Sequence, residues 1–273
     1  MLDMGLKKIE TLNVMKNLRL TFVQSDIIWH SPSDNLSMIE SLIGGLKGNS
    51  DLILMPEMFT TGFTMDTEQF AEEMSGKTVS KMKEWSRVLN AHIAGSLIIK
   101  ETEKYYNRLV ITTPEGGVEF YDKRHLFRMG GEEKFYTAGQ KNLTVDIKGW
   151  RVRPFICYDL RFPVWSRNTA DRYDLAFYCA NWPAVRRYHW DTLLRARAIE
   201  NQCYVAGINR TGIDGRGIKY AGGSCVIGFR GEELRVAGHV PCSDTVELSY
   251  EALLDYRREF PAWMDADEFR IVT

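Results

Sequence analysis

No stretch of this 273-residue chain approaches the roughly 18 consecutive apolar residues that a membrane-spanning helix needs. A secretory signal is not expected either. Its uninterrupted apolar centre of about 7–15 residues is missing from Met1 to Asn17, where Lys7, Lys8, Glu10 and Lys16 break the apolar positions. Neither sign of charge is in excess. With 35 basic and 36 acidic residues the net charge is -1, which argues against a nucleic-acid partner. Cys-x-x-Cys pairs and closely following His pairs are lacking, so no metal is expected. Linkers, fixed-period repeats and low-complexity segments are lacking too, which leaves one α/β domain as the expectation.

What the chain has is an ordinary globular balance, 44% apolar and 26% charged, and five cysteines at 157, 179, 203, 225 and 242. An odd number without a signal suits free thiols in a reducing cytoplasm. Met15 stands just before the strand-like run Leu18–Gln24. Folding is therefore expected to begin near it, with 1–17 as a loose extension or a mis-set start and 18–273 as the domain. Further strand-like runs are 52–57, 92–99, 105–112, 118–123, 143–147, 152–158, 175–180, 203–209, 223–229 and 245–248. Helical patterns lie between them. Ser33 is placed to cap a helix with Leu36, Ile39, Ile43 and Leu46 inward, closed by Gly48. Val79, Met82, Trp85, Val88 and Leu89 mark a second helix. A third, from about Tyr188 to Gln202, turns Trp190, Leu193, Leu194 and Ile199 inward with Asp191 in its first turn, and a fourth covers 251–258. Thr113-Pro-Glu-Gly-Gly117 reads as a tight turn between two strands.

Three apolar runs stop at a residue capable of chemistry: Leu52–Glu57 at a carboxylate, Val118–Lys123 at an ammonium, and Pro154–Cys157 at a thiol. Ligands bind beyond the carboxyl ends of strands in open α/β sheets. Taken singly, each residue has an ordinary structural reading as a cap, a rim charge or a packed thiol. Their flanking residues carry more. Pro56-Glu57-Met58-Phe59, Tyr121-Asp122-Lys123-Arg124-His125-Leu126-Phe127 and Ile156-Cys157-Tyr158-Asp159-Leu160-Arg161-Phe162-Pro163 together resemble the glutamate, lysine and nucleophile motifs of the nitrilase superfamily, the carbon–nitrogen hydrolases. The resemblance runs from Leu18 to about Leu248. It implies a second glutamate ahead of the Ala138-Gly139 turn, Glu132 or Glu133, and counting back from the turn favours Glu132.

The resemblance implies a four-layer α-β-β-α sandwich of two stacked mixed sheets, paired into a homodimer or a higher homo-oligomer. The tail from about 260 to 273 is expected to lie across the partner subunit. It also implies a cofactor-free amidase. Cys157 would attack the amide, with Glu57 moving its proton. Lys123 and the backbone N–H of Tyr158 would hold the oxyanion, and Glu132 would assist. Residues 125–132, 157–167 and 180–187 are most similar to the omega-amidase branch, which acts on 2-oxoglutaramate or 2-oxosuccinamate. A carboxylate-bearing amide needs a cationic clamp, for which Arg161, Arg186 and Arg187 are candidates, with Phe59, Tyr158 and Trp182 as pocket walls. Three alternatives stay open. One is a different amide or nitrile substrate within the superfamily: deaminated glutathione, an N-carbamoyl amino acid or a nitrile. Another is a Cys–His mechanism using His125, and the last is a non-catalytic amide-binding scaffold.

Overall fold

The computed structural model describes residues 17–169 and 173–271. The expected extension 1–17 lies outside them except for Asn17, as do the last two residues of the tail.

The first half of the chain runs β1 (Leu18–Gln24), α1 (Pro32–Ile43), β2 (Leu52–Leu54), a single helical turn α2 (Thr67–Phe70) and α3 (Lys77–Leu89). It continues through β3 (His92–Glu101), β4 (Lys104–Thr112) and β5 (Val118–Asp122). The second half begins with β6 (Val145–Ile147) and β7 (Trp150–Ile156), then the short α4 (Pro163–Ser166), β8 (Leu175–Ala180), α5 (Arg187–Asn201) and β9 (Tyr204–Asn209). The small hairpin β10 (Thr211–Ile213) and β11 (Lys219–Ala221) follows. After it come β12 (Cys225–Ile227), β13 (Glu233–Val236), β14 (Cys242–Leu248) and α6 (Tyr250–Glu259).

Two six-stranded sheets result, in the orders β14-β1-β2-β3-β4-β5 and β13-β12-β9-β8-β7-β6. Each has a parallel centre, β1-β2-β3 or β7-β8-β9, flanked by antiparallel strands. The period-two alternation of side chains decides the layers. Leu52 and Leu54 point into a core shared with the second sheet, where Val152, Phe177 and Val205 lie. Their neighbours Ile53 and Met55 point the other way, onto Ile39 and Ile43 of α1 and Val79, Met82 and Trp85 of α3. Beyond the second sheet, α5 covers the strands with Trp190 and Leu194, both fully buried. The architecture is therefore the four-layer α-β-β-α sandwich implied by the resemblance.

Local departures have local causes. Helix α1 starts at Pro32, whose fixed φ suits a first helical position, so Ser33 lies inside the helix; Ser31 precedes it and its hydroxyl turns to Asp34 instead of the backbone. The helix ends before Gly44, and Leu46 packs on the core from the loop beyond. Helix α5 begins one residue before the expected Tyr188, at Arg187. Asp191 therefore falls past the first turn and pairs with Arg187 at 2.7 Å. Val88 and Ile199 stand at the edges of their apolar stripes and are exposed. The tail makes one short turn, Ala262–Asp265, held to its own chain by Gln202, which donates to the carbonyl of Phe260 and accepts from the N–H of Trp263.

Candidate active site

The parallel centres of both sheets deliver their carboxyl ends to one place. Beyond β2, the chain enters a turn in which Met58 adopts φ 44°, and this turn aims the preceding Glu57 inward. Cys157 follows β7 directly with φ 43° and opens a tight helical turn, Cys157–Arg161. Such left-handed backbone is uncommon for residues with a side chain and costs on the order of 1–3 kcal/mol. Asn181 directly follows β8. Lys123 lies one residue beyond β5, and the chain returns past it so closely that Gly139 sits against the carbonyl of Asp122, where a side chain would collide.

These placements put four polar side chains in contact, all nearly or fully buried. The Lys123 ammonium donates to Glu57 Oε1 at 2.8 Å and to both oxygens of Glu132, at 3.0 and 2.9 Å. Asn107, in the middle of β4, donates from Nδ2 to Glu57 Oε1 at 2.8 Å and Glu132 Oε1 at 3.1 Å. The backbone N–H of Asn181 reaches Glu57 Oε2 at 3.0 Å, and that of Phe127 reaches Glu132 Oε2 at 2.6 Å. Glu132 rather than Glu133 is thus the glutamate that meets Lys123. The Cys157 thiol lies 3.9 Å from the Asn181 carbonyl, on the side of the network where Asn181 also meets Glu57.

Electrostatics follow from burial. Desolvation works to lower the pKa of Lys123, but the charges of Glu132 and Glu57 outweigh it and raise the pKa, so the ammonium stays charged. Glu132 is raised, chiefly by desolvation, with Lys123 opposing and Glu57 adding to the shift. Burial pushes the Cys157 thiol well up; the Glu57 charge adds to this and Lys123 opposes it. A thiol in that state keeps its proton at neutral pH, so it becomes a nucleophile only when a neighbour takes the proton.

One buried carboxylate ties the lysine loop to the cysteine turn. Asp159 accepts from the hydroxyl of Tyr121 at 2.8 Å and from the N–H groups of Ile156 and His125, each at 3.0 Å. His125 Nδ1 lies 2.8 Å from the same carboxylate, and its ring stacks on Phe162 at 3.8 Å. This histidine is held as a brace between the two segments.

Above the network opens a cavity of about 580 Å³ with Glu57, Lys123 and Cys157 among its lining residues. Tyr158, Trp182, Arg161 and Arg186 also line it. Arg161 stacks over Trp182 at 4.9 Å and meets His189 at 3.0 Å, while Arg186 sits over Phe127 at 5.6 Å. Two of the sequence candidates lie elsewhere. Phe59 is fully buried, with its ring over Gly95 of β3 in the core beneath the helices. Arg187 is engaged by Asp191 and packs against Gly223. The loop of the β10–β11 hairpin and the strand after it supply Asp214, Arg216, Lys219 and Tyr220 to the wall, none of which the motifs point to. Among the described residues no group of three or more His, Cys, Asp or Glu is placed to hold a metal. No helix there is long and apolar enough to cross a membrane.

Known proteins are similar to this chain in sequence and in fold. Residues 19–242 match the carbon–nitrogen hydrolase family. The omega-amidase YafV of Escherichia coli K12 is 47% identical over 258 residues, covering 94% of this chain and all of that protein. A 2-oxoglutaramate amidase of Bacillus subtilis is 32% identical, covering 90% of this chain and 96% of its own. Among solved structures, a CN-hydrolase superfamily protein of Xanthomonas campestris with an arsenic adduct in its active site superposes with a TM-score of 0.93. It is 43% identical and covers 94% of this chain and all of its own. The yeast Nit3 structure, of the nitrilase superfamily, shares the fold at a TM-score of 0.80, 23% identity and coverage of 90% and 95%. A family match over most of the length, together with relatives that cover nearly all of it, places this chain in the carbon–nitrogen hydrolase (nitrilase) superfamily, in its omega-amidase-like branch.

Proposed function

We propose that the chain is an omega-amidase that hydrolyses the terminal amide of 2-oxoglutaramate or 2-oxosuccinamate to the 2-oxo dicarboxylate and ammonia. The observation that carries this reading is a half-buried thiol beside a Glu57–Lys123–Glu132 network at the floor of a cavity with arginines in its wall. The relatives named above as omega-amidase and 2-oxoglutaramate amidase support the choice of substrate.

In this reading Glu57 takes the thiol proton as the Cys157 sulfur attacks the amide carbon. The carbonyl electrons move onto oxygen, where Lys123 and the N–H of Tyr158 receive the negative charge; the latter lies in the first turn after β7, where helical N–H groups lack partners within the turn. Collapse breaks the carbon–nitrogen bond, Glu57 returns the proton to the nitrogen, and ammonia leaves a thioester behind. Water then gives a proton to Glu57 and attacks the thioester; collapse releases the acid and the thiol regains its proton. Glu132 holds the ammonium of Lys123 in place from the opposite side. Arg161 and Arg186 bind the substrate carboxylate, Arg being suited to a planar anion. Tyr158 and Trp182 close the apolar part of the pocket. The reading includes a homodimer or higher homo-oligomer in a reducing cytoplasm; the free thiols among the described residues support the second point.

The experiment is a panel scored by kcat/KM from released ammonia. It contains 2-oxoglutaramate, 2-oxosuccinamate, deaminated glutathione, an N-carbamoyl amino acid, a nitrile and a neutral amide of similar size. A preference for the first two of at least about 100-fold is expected, as for a site that pairs a buried anion. Equal rates on the neutral amide would remove the carboxylate clamp from the account, and no ammonia from any member would remove the enzyme.

A further inference from the structure

We propose that Asn107 is a positioning residue that dictates which oxygen of Glu57 accepts the thiol proton. The inference rests on the amidase reading above and concerns a residue outside the three motifs.

Glu57 Oε1 accepts two hydrogen bonds, from the Lys123 ammonium and from Asn107 Nδ2, both at 2.8 Å. Glu57 Oε2 accepts one, from the Asn181 N–H at 3.0 Å. A carboxylate oxygen offers two in-plane lone-pair directions. Oε1 is therefore full, and Oε2 has one to spare. Asn181 adds direction, because its N–H meets Oε2 while its own carbonyl meets the Cys157 sulfur. The free position on Oε2 is the one on the cysteine side.

The orientation of the Asn107 amide is itself determined. Its Oδ1 accepts from the Ser96 hydroxyl at 2.9 Å, which fixes that end as the acceptor. The reverse placement would point Oδ1 at two carboxylates. Ser96 in turn accepts from the N–H of Met58 at 2.9 Å, the left-handed residue directly after Glu57. Thus Ser96 and Asn107, joined by this side-chain hydrogen bond between β3 and β4, grip Glu57 from its backbone neighbour and from its carboxylate, and both are fully buried. Asn107 also donates to Glu132 at 3.1 Å and so sets the spacing of the two carboxylates around Lys123.

Without the Asn107 donor, Oε1 would have a vacant lone pair and the two carboxylates would lose their shared spacer. The carboxylate could then turn and present its oxygens to the thiol indifferently. The chemical step suffers from this, while the arginines that bind the substrate are untouched.

The test uses two variants beside the wild type. Asn107→Leu removes both donors at similar volume. Asn107→Asp keeps the shape and places a third acid between Glu57 and Glu132. Two rates are followed across pH: kcat and KM on 2-oxoglutaramate, and alkylation of Cys157 by iodoacetamide, located by peptide mass spectrometry. Alkylation needs no amide substrate, so it reads proton removal from the thiol even if the substrate assignment is wrong. For Asn107→Leu the expected loss is about 100-fold in kcat, with KM within about threefold and alkylation slowed in parallel; an orienting hydrogen bond in an active site is worth about this much. For Asn107→Asp, activity and alkylation are expected to be nearly lost at pH 8. They should partly return as the pH falls and the new acid, once protonated, donates again. A folded Asn107→Asp enzyme with wild-type alkylation and an unshifted pH profile would overturn the proposal. So would a Leu variant that loses only substrate affinity. Wild-type protein inactive on every amide, yet with alkylation dependent on Asn107, would overturn the amidase reading and leave the positioning role standing.

Discussion

Replacing Lys123 by Met tests the buried network as a physical object, apart from any substrate. The ammonium makes three contacts of 2.8–3.0 Å with Glu57 and Glu132, and all three side chains are at most 1% exposed. Methionine fills similar space but leaves two carboxylates facing each other around Asn107. Removing one partner of a buried ion pair costs about 3–5 kcal/mol, because the remaining charge is uncompensated. The carboxylates can escape that cost by binding a proton, so the deficit must depend on pH. The sign is set by the folded state. Without the lysine, proton affinity in the folded pair rises above the unfolded carboxylate value of about 4.3, and the folded protein then binds more protons than the unfolded one. Stability lost at pH 8 is therefore regained on acidification, by about 1.4 kcal/mol per pH unit for one proton. Between pH 8 and pH 6 the deficit should narrow, by at most about 3 kcal/mol for one proton. Urea or thermal unfolding of wild type and variant at the two pH values measures this, with a Tm gap of about 10 °C at pH 8 that narrows at pH 6. An equal gap at both pH values would refute the reasoning, since it would mean the lysine contributes packing alone.

Three further outcomes follow from the same contacts. Asp159→Ala should cost about 3 kcal/mol and lower kcat, because it leaves the Tyr121 hydroxyl and the N–H groups of Ile156 and His125 without their acceptor; unfolding and ammonia release check it. His125→Ala should keep at least about a tenth of the wild-type kcat, given its role as a brace, whereas Cys157→Ser falls by about 1000-fold or more; equal losses would favour a Cys–His mechanism. Asp51 carries a pKa lowered to about 2: burial acts the other way but is outweighed by hydrogen bonds from Arg19 and Lys148. Its contribution is about 1 kcal/mol after solvent screening, is present above pH 4 and disappears as pH falls toward 2, so Asp51→Asn should lower Tm at pH 7 and match wild type at the acid end.

The sequence made some of this legible and concealed the rest. Glu57, Lys123 and Cys157 each end an apolar run, a local signal, and the family resemblance implied a second glutamate ahead of the Ala138-Gly139 turn, which pointed to Glu132. Asn107 left no such mark. It sits in the middle of β4, and only the packing of β2, β3 and β4 brings it beside Glu57, fifty positions away. Asn181 acts through its backbone as much as its side chain, and no residue type announces that. The wall formed by Asp214, Arg216 and Lys219 comes from a two-stranded hairpin outside both main sheets, whose short strands carry little apolar periodicity. Phe59 and Arg187 show the converse error of neighbourhood. Lying within family-like segments placed them near the site, but the strand and helix geometry turned one into the core and the other onto Asp191.

The central claim is that Cys157 forms the covalent bond to the substrate. Rapid acid quenching of the enzyme during turnover of 2-oxoglutaramate, followed by intact and peptide mass spectrometry, tests it most directly. The account predicts an acyl adduct on the peptide containing Cys157, formed with release of ammonia and absent in Cys157→Ala. An adduct on another of the five cysteines, or ammonia release at the wild-type rate from Cys157→Ala, would contradict it.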